Sequence, residues 1–383
     1  MFVIKSNKII IGENLFDGFI YVDKGKIVRL SHDCDADNVI DYSGRFVSAG
    51  FIDIHTHGGG GYGFMESSPD DVVAGCNFHL KHGTTSILPT VSAAEFETME
   101  QAVKNIDSAK KNKQLKNNIL GAHLEGPYLS PKQCGAQGAS FLTDPIKKDY
   151  EKLIRNYGDS VLRWTYAPER DTEGVFCKFL TANGIVASAG HTDATYSDMV
   201  TAIEKGCNLI THLYSCTSTV TRDHGFRRLG VIESAFLRDD LFVEIIADGK
   251  HLPPDLIKMI VKIKGADKIA LITDSLSVAG TDVKEGVMSG TEFIIEDGIC
   301  KLKDRSAFAG SIATADLCVR VVKDTGVDIP VAVKMMTEIP AEIINAKNKG
   351  KIAVGKDADL VVFDDDIKIF DVYVGGEIKY SEN

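Results

Sequence analysis

Two rhythms of apolar and polar residues divide this chain. Near its start, the short β-rich runs Phe2–Lys5, Lys8–Ile11, Gly18–Val22 and Lys26–Leu30 are separated by Asn, Gly and Asp, the residues of tight turns. The same style returns at the end in Asp359–Phe363, Ile369–Val374 and Glu377–Tyr380. Neither set has enough strands to bury a sheet alone. The two ends are therefore predicted to pair as one small β-sandwich, residues 1–48 plus 346–383, outside a domain spanning 49–345.

The central stretch alternates apolar runs of strand length with longer segments of helical spacing. The runs are Gly50–Ile54, Thr85–Leu88, Asn118–Ala122, Val161–Thr165, Gly184–Ser188, Asn208–Thr211, Leu241–Ile246 and Lys268–Thr273. Segments such as Pro69–His82, Ala93–Asn117, Asp193–Gly206 and Pro253–Gly265 repeat apolar residues at helical intervals, often after Asp, Ser or Pro. Eight strands alternating with helices predict an α/β fold, a (β/α)8 TIM-like barrel. A doubly wound open sheet has the same alternation, and strand counting alone leaves it open.

Composition narrows the function classes. The 383 residues are 44% hydrophobic and 25% charged, the profile of a globular protein with a sizeable core. No apolar run approaches the roughly 18 residues of a membrane span, and the N-terminus lacks a signal-peptide layout. A net charge of −11 argues against general nucleic-acid binding while leaving room for a local basic pocket for a small anion. The eight cysteines are scattered with no C-x-x-C pair, which reads as reduced thiols in the cytoplasm.

Candidate chemistry falls at the ends of the strands. His55-Thr-His57 follows the first central run, and i and i+2 residues of a strand share a face. Glu125 follows the third run, His191 the fifth, His212 the sixth and Asp274 the eighth. Taken singly, each of these is as well explained as a helix cap. In a closed barrel the C-terminal strand ends converge on one mouth, where active sites of this architecture lie. Imidazoles and carboxylates without thiolate suit a divalent ion such as zinc or iron and point to hydrolysis, with Asp274 moving the proton. His123, on the same strand face as Glu125, is expected to orient a ligand. His79 and His82 are expected to close a helix, Trp164 to pack in the core, and Glu169 to line the mouth or face solvent.

The segments Phe51–His57, Gly121–Tyr128 (with His-Leu-Glu-Gly-Pro), Ala189–Asp193, Thr211–Tyr214, Ala247–His251 and Leu271–Asp274 occur in order along nearly the whole chain. Together with Gly350–Gly355 and Ala358–Val361 they resemble the N-acetylglucosamine-6-phosphate deacetylase family of the amidohydrolase superfamily. The resemblance implies a TIM-like barrel with a two-ended sandwich, usually in a homodimer, and hydrolysis of the N-acetyl amide of an amino-sugar 6-phosphate. It implies one metal at Glu125, His191 and His212, and a second where both His55 and His57 are kept. It also implies Asp274 as general acid and base, His251 at the sugar phosphate, a substrate-lining turn at Gly310 and Ser311, and a partner subunit that can contribute to the pocket.

The chain departs from that family in two loops. Gly135-Ala-Gln137 stands where Gly-Ala-His is typical, and a neutral amide donates a hydrogen bond without an imidazolium's charge. Leu213-Tyr-Ser-Cys-Thr217 replaces Leu-Phe-Asn-Ala-Met, so Ser215 and Cys216 sit where the family touches substrate. Arg222 is the expected phosphate ligand, with Arg227 and Arg228 as competitors. These changes keep N-acetylglucosamine-6-phosphate as the leading substrate and leave open a different N-acyl sugar or a cyclic amide. Cyclic amidases commonly bridge metals with a lysine on the fourth strand, and Val161–Glu169 has none. A catalytically silent relative is disfavoured by the intact ligand set.

Overall fold

Each of the eight apolar runs becomes a parallel strand of one sheet in the computed structural model, which describes residues 1–65, 67–288 and 291–382. The barrel strands are Phe51–Thr56, Thr84–Val91, a third in two pieces (Asn118–Ile119 and Ala122–Glu125), Val161–Tyr166, Val186–Ala189, Leu209–Ile210, Phe242–Ile246 and Ile269–Ile272. Neighbours follow chain order from first to eighth without the reversal of a doubly wound sheet. First and eighth strands meet at the mouth, where Asp274 N donates to His55 O at 2.9 Å and His57 N donates to Ser275 O at 2.8 Å. The open-sheet alternative is therefore set aside.

The intervening segments fold as helices with readable causes. Pro69–Leu80 opens on a reciprocal cap in which Ser68 Oγ accepts from Asp71 N and Asp71 accepts from Ser68 N. Phe96–Ala109 buries Met99, Val103 and Ile106, which lie three and four residues apart on one face. Tyr196–Glu204 and Pro254–Lys264 fall within the remaining segments that the spacing picks out. Phe64, Val72, Val103, Trp164, Phe176 and Val319 belong to one continuous core of buried residues.

Strands from both termini form a single eight-stranded sheet. Leu360–Phe363 pairs antiparallel with Phe46–Ala49, joining the late strands to the early ones. Alternation along it serves two cores: Leu360 and Val362 pack with Ile4, Ile9 and Ile20, whereas Val361 and Phe363 join the barrel's core. A four-stranded antiparallel insert, from Glu285 to Gly310, follows the eighth strand. Among the described residues, no helix is long and apolar enough to cross a membrane, and none of the eight cysteines is disulfide-bonded.

Candidate metal centre at the barrel mouth

The chain turns sharply where its ionisable residues stand. His191, His212 and Asp274 each lie two residues past their strand, and all three adopt positive φ, at 47°, 27° and 48°. Non-glycine residues hold that conformation only where surrounding structure imposes it, and such strain concentrates at functional sites.

The six side chains meet. Glu125 Oε1 lies 3.0 Å from His212 Nε2, 3.2 Å from His191 Nε2 and 3.4 Å from His55 Nε2. Glu125 Oε2 is 3.2 Å from His57 Nε2. Asp274 Oδ1 lies 3.3 Å from His55 Nε2 and 3.2 Å from His57 Nε2. His55, Glu125 and His212 form one compact group, and His55, His57 and Asp274 another, each with ligand atoms within 4.8 Å of one another.

The outer ring nitrogens test whether this cluster suits a cation. His191 Nδ1 donates to Gln133 O at 2.9 Å and His212 Nδ1 to Ser215 O at 3.1 Å. A carbonyl only accepts, so both Nδ1 atoms carry hydrogen, and Nε2 is the atom each ring turns toward Glu125. Those two Nε2 atoms sit 3.2 Å apart beside a carboxylate oxygen. Ring nitrogens and a carboxylate packed this closely need a positive charge among them, a ring proton or a cation in its place. His55 Nε2 is buried and has no hydrogen-bond partner. The residues fit a divalent ion.

Charge in the cluster tells the same story. Burial opposes ionisation of Glu125, but the rings of His55 and His191 outweigh it and hold the carboxyl well below its usual range. Asp274 is lowered likewise, against burial, by His55 and His57. Burial works to lower His55 too, yet the charges of Asp274 and Glu125 push it up to about 10. His191 is also raised by Glu125 against its burial, whereas burial prevails at His212 and lowers it. Two ionised carboxylates in a buried cluster call for positive charge, which the raised His55 and His191 rings supply and a divalent ion would supply in their place.

A cavity of about 570 Å³ opens above the cluster, lined by His57, Gln137, Ser215, Cys216, His251 and Gly310 among others. His251 is oriented by Asp248, whose Oδ2 lies 2.7 Å from its Nδ1, and Phe308 packs edge-on against the ring at 5.1 Å. Gly135 has φ of 57°, and a Cβ there would lie 2.6 Å from Cys216 Sγ, so only glycine lets the two departing loops meet. Gln137 has both ends engaged: Nε2 donates to Glu125 Oε2 at 2.7 Å and Oε1 accepts from Ala93 N at 3.0 Å.

Two expected substrate residues lie elsewhere. Ser311 is fully buried, its Oγ accepting from Ala313 N, and does not line the cavity. Arg222 stands with Arg227 and Arg228 on an exposed hairpin, and none of the described lining residues is an arginine. Glu169 accepts from Asp193 N at 2.7 Å and from the Thr192 hydroxyl, bracing the loop after His191 from outside the cavity.

His123 hydrogen-bonds to no candidate ligand. It bonds Thr90 Oγ1 at 3.1 Å and Thr165 Oγ1 at 2.7 Å and stacks edge-on against His55. His79 closes its helix and donates to Gly58 O at 2.8 Å, fixing the loop behind His57. Trp164 is buried in the core and donates to Gly126 O at 2.7 Å, next to Glu125.

Four supporting residues escape the sequence reading. Ser92 holds His57 Nδ1 at 2.9 Å, Asp248 holds His251, and a fully buried Arg163–Glu244 pair crosses the barrel. The last had a signal, since each is the lone charge in an otherwise uncharged strand, and the two are opposite in sign.

Residues 46–379 match the amidohydrolase family. The chain is 30% identical to the N-acetylglucosamine-6-phosphate deacetylase of Lysinibacillus sphaericus over 367 residues, 95% of this chain and 94% of that one. It is 32% identical to the N-acetylgalactosamine-6-phosphate deacetylase of Shewanella sp. (strain ANA-3), covering 88% of this chain and 84% of the relative. The crystal structure of N-acetylglucosamine-6-phosphate deacetylase from Pasteurella multocida superposes with a TM-score of 0.92 at 30% identity, covering 100% of both chains.

Proposed function

The chain belongs to the amidohydrolase family, and we propose that it hydrolyses the N-acetyl amide of N-acetylglucosamine-6-phosphate to glucosamine-6-phosphate and acetate. The observation that carries the reading is the meeting of Glu125, His191, His212, His55, His57 and Asp274 at one mouth beneath a cavity of about 570 Å³. Glu125, His191 and His212 would hold one divalent ion, zinc or iron, and His55 and His57 a second; when bound, such ions acidify water and polarise the amide carbonyl.

Asp274 carries the proton. Its carboxylate is ionised, partly open to the cavity and directed at the mouth. It takes a proton from water as the new C–O bond forms, then gives it to the amide nitrogen as the C–N bond breaks. Acetate and the free amine leave. Gln137 contributes no positive charge at the carbonyl, and its amide is committed to Glu125 and Ala93.

Phosphate recognition falls to His251, whose Nδ1 is held by Asp248, leaving Nε2 as the atom available to a phosphate oxygen. An arginine fork is the natural second contact. Its source in this reading is the exposed hairpin carrying Arg222, Arg227 and Arg228 from a second copy of the chain, which makes the enzyme a homodimer. A cytoplasmic setting suits its unpaired cysteines.

The test is acetate release by metal-loaded enzyme from the 6-phosphates of N-acetylglucosamine, N-acetylgalactosamine and N-acetylmannosamine, and from unphosphorylated N-acetylglucosamine. The first is expected to be fastest. No release from any of them overturns the proposal, and equal rates with and without phosphate remove the phosphate assignment.

A further inference from the structure

Arg163 and Glu244 stand on the fourth and seventh barrel strands, and neither exposes any surface. Burying an ion pair carries a large desolvation cost, and well-packed apolar residues often do as well or better for stability. This pair is fully engaged. The guanidinium donates through Nε to Ser188 Oγ at 3.1 Å, through Nη1 to Ile54 O at 3.2 Å and Glu244 Oε1, and through Nη2 to Thr211 Oγ1 at 2.8 Å and Glu244 Oε2 at 2.8 Å. All five of its hydrogens are accounted for.

The remaining capacity of Glu244 Oε2 is directed at the mouth. It accepts from His212 N at 3.3 Å and faces His55 Nδ1 at 3.4 Å. The three other mouth histidines rest their Nδ1 atoms on neutral oxygens: Ser92 Oγ, Gln133 O and Ser215 O. His55 alone among the four leans on a charged side chain. A carboxylate only accepts, so it holds hydrogen on Nδ1 and turns Nε2 toward Asp274 and Glu125.

We propose that Glu244, held by Arg163, is a positioning residue that makes the His55–His57–Asp274 group competent for a second divalent cation, while the Glu125–His191–His212 group does not depend on it. The inference rests on reading the mouth as a metal centre. Its selectivity follows from geometry: Glu244 reaches His212 only through its backbone N–H, whereas the His191 and His212 rings are oriented by the carbonyls of Gln133 and Ser215.

The experiment titrates metal-free protein with Co²⁺, reading stoichiometry by calorimetry and ligand geometry by visible absorption. The wild-type chain takes two ions. The paired substitution Arg163→Met with Glu244→Met removes both charges while conserving bulk, and should keep the first ion and weaken the second ten- to a hundredfold. Glu244→Gln, which retains an acceptor oxygen, should fall between. Unfolding of the metal-free variants, followed by circular dichroism, checks that the barrel persists. Should the paired variant unfold, Glu244→Gln carries the decision alone, and a second-ion affinity in it unchanged from wild type overturns the proposal. Wild-type uptake of one ion, or equal weakening of both ions in a folded variant, also overturns it. Uptake of no ion overturns the metal-centre reading as well.

Discussion

Gln137 donates its amide hydrogen to Glu125 Oε2 at 2.7 Å while its own oxygen is held by Ala93 N. Gln137, where the resemblance leads one to expect a histidine, thus serves as a neutral clamp on the Glu125 carboxylate. A carboxylate with one oxygen pinned offers the other, Oε1, in a fixed direction to the two histidines 3.0 and 3.2 Å away.

Gln137→Leu keeps approximate volume and removes the clamp. Metal retention should fall about 10- to 100-fold, the usual cost of losing a residue that orients a ligand. Equilibrium dialysis against a graded chelator measures it. Unchanged affinity would show that Glu125 is held by its histidines alone.

Asp274→Asn leaves the fold and the Glu125–His191–His212 group intact but cannot take a proton. Turnover should drop roughly 10²- to 10⁴-fold, the range for removing a general acid–base, with KM little changed. Steady-state acetate release gives both constants. A variant with full kcat would remove Asp274 as the proton carrier.

The barrel and most of its mouth were legible because strand order and chemistry coincide. Apolar runs of four to six residues ended in Glu125, His191, His212 and Asp274, and a barrel can only bring such ends together. Closure was not legible, since it depends on backbone bonds between His55 and Asp274, residues 219 positions apart (274 − 55). Side-chain direction was equally hidden. Ser311 looked like part of a substrate turn next to Gly310, yet its hydroxyl folds back onto Ala313 N. Arg163 and Glu244 are lone charges in apolar strands, and such a charge acquires meaning only with its partner across the barrel.

The three hairpin arginines make a prediction about phosphate. Replacing Arg222, Arg227 or Arg228 singly with Ala should leave the barrel stable, since all three are exposed. The variant that removes the phosphate contact should raise KM for the 6-phosphate about tenfold or more, with kcat and the rate on the unphosphorylated sugar preserved. If none of the three shifts KM, the phosphate is held without this hairpin. Mixing that variant with Asp274→Asn should restore activity in hybrid dimers, because one mouth then receives both an intact Asp274 and the other copy's intact arginine.

Asp359 couples the two-ended sheet to the barrel. Its carboxylate accepts from Lys349 Nζ at 2.6 Å, Asn118 Nδ2 at 3.1 Å and Gly375 N at 2.7 Å, and Lys349 also pairs with Asp357 at 2.9 Å. Asp359→Ala leaves a largely buried ammonium and a backbone N–H short of a partner, so it should cost about 3 kcal/mol. The pH dependence follows from the signs. Burial opposes charge on both Asp357 and Lys349, but Lys26 and Lys349 hold Asp357 below 3.8, and Asp359 holds Lys349 above 10.5. A depressed carboxylate stabilises above its unfolded value and loses that contribution as acid protonates it in the native state. A raised lysine stabilises below 10.5 and loses its contribution as base deprotonates it. The loss caused by Asp359→Ala should therefore be constant near neutrality and shrink above pH 10.5. Urea unfolding at pH 7 and pH 11 measures both, and an equal deficit at the two values would mean that Lys349 draws its stability from elsewhere.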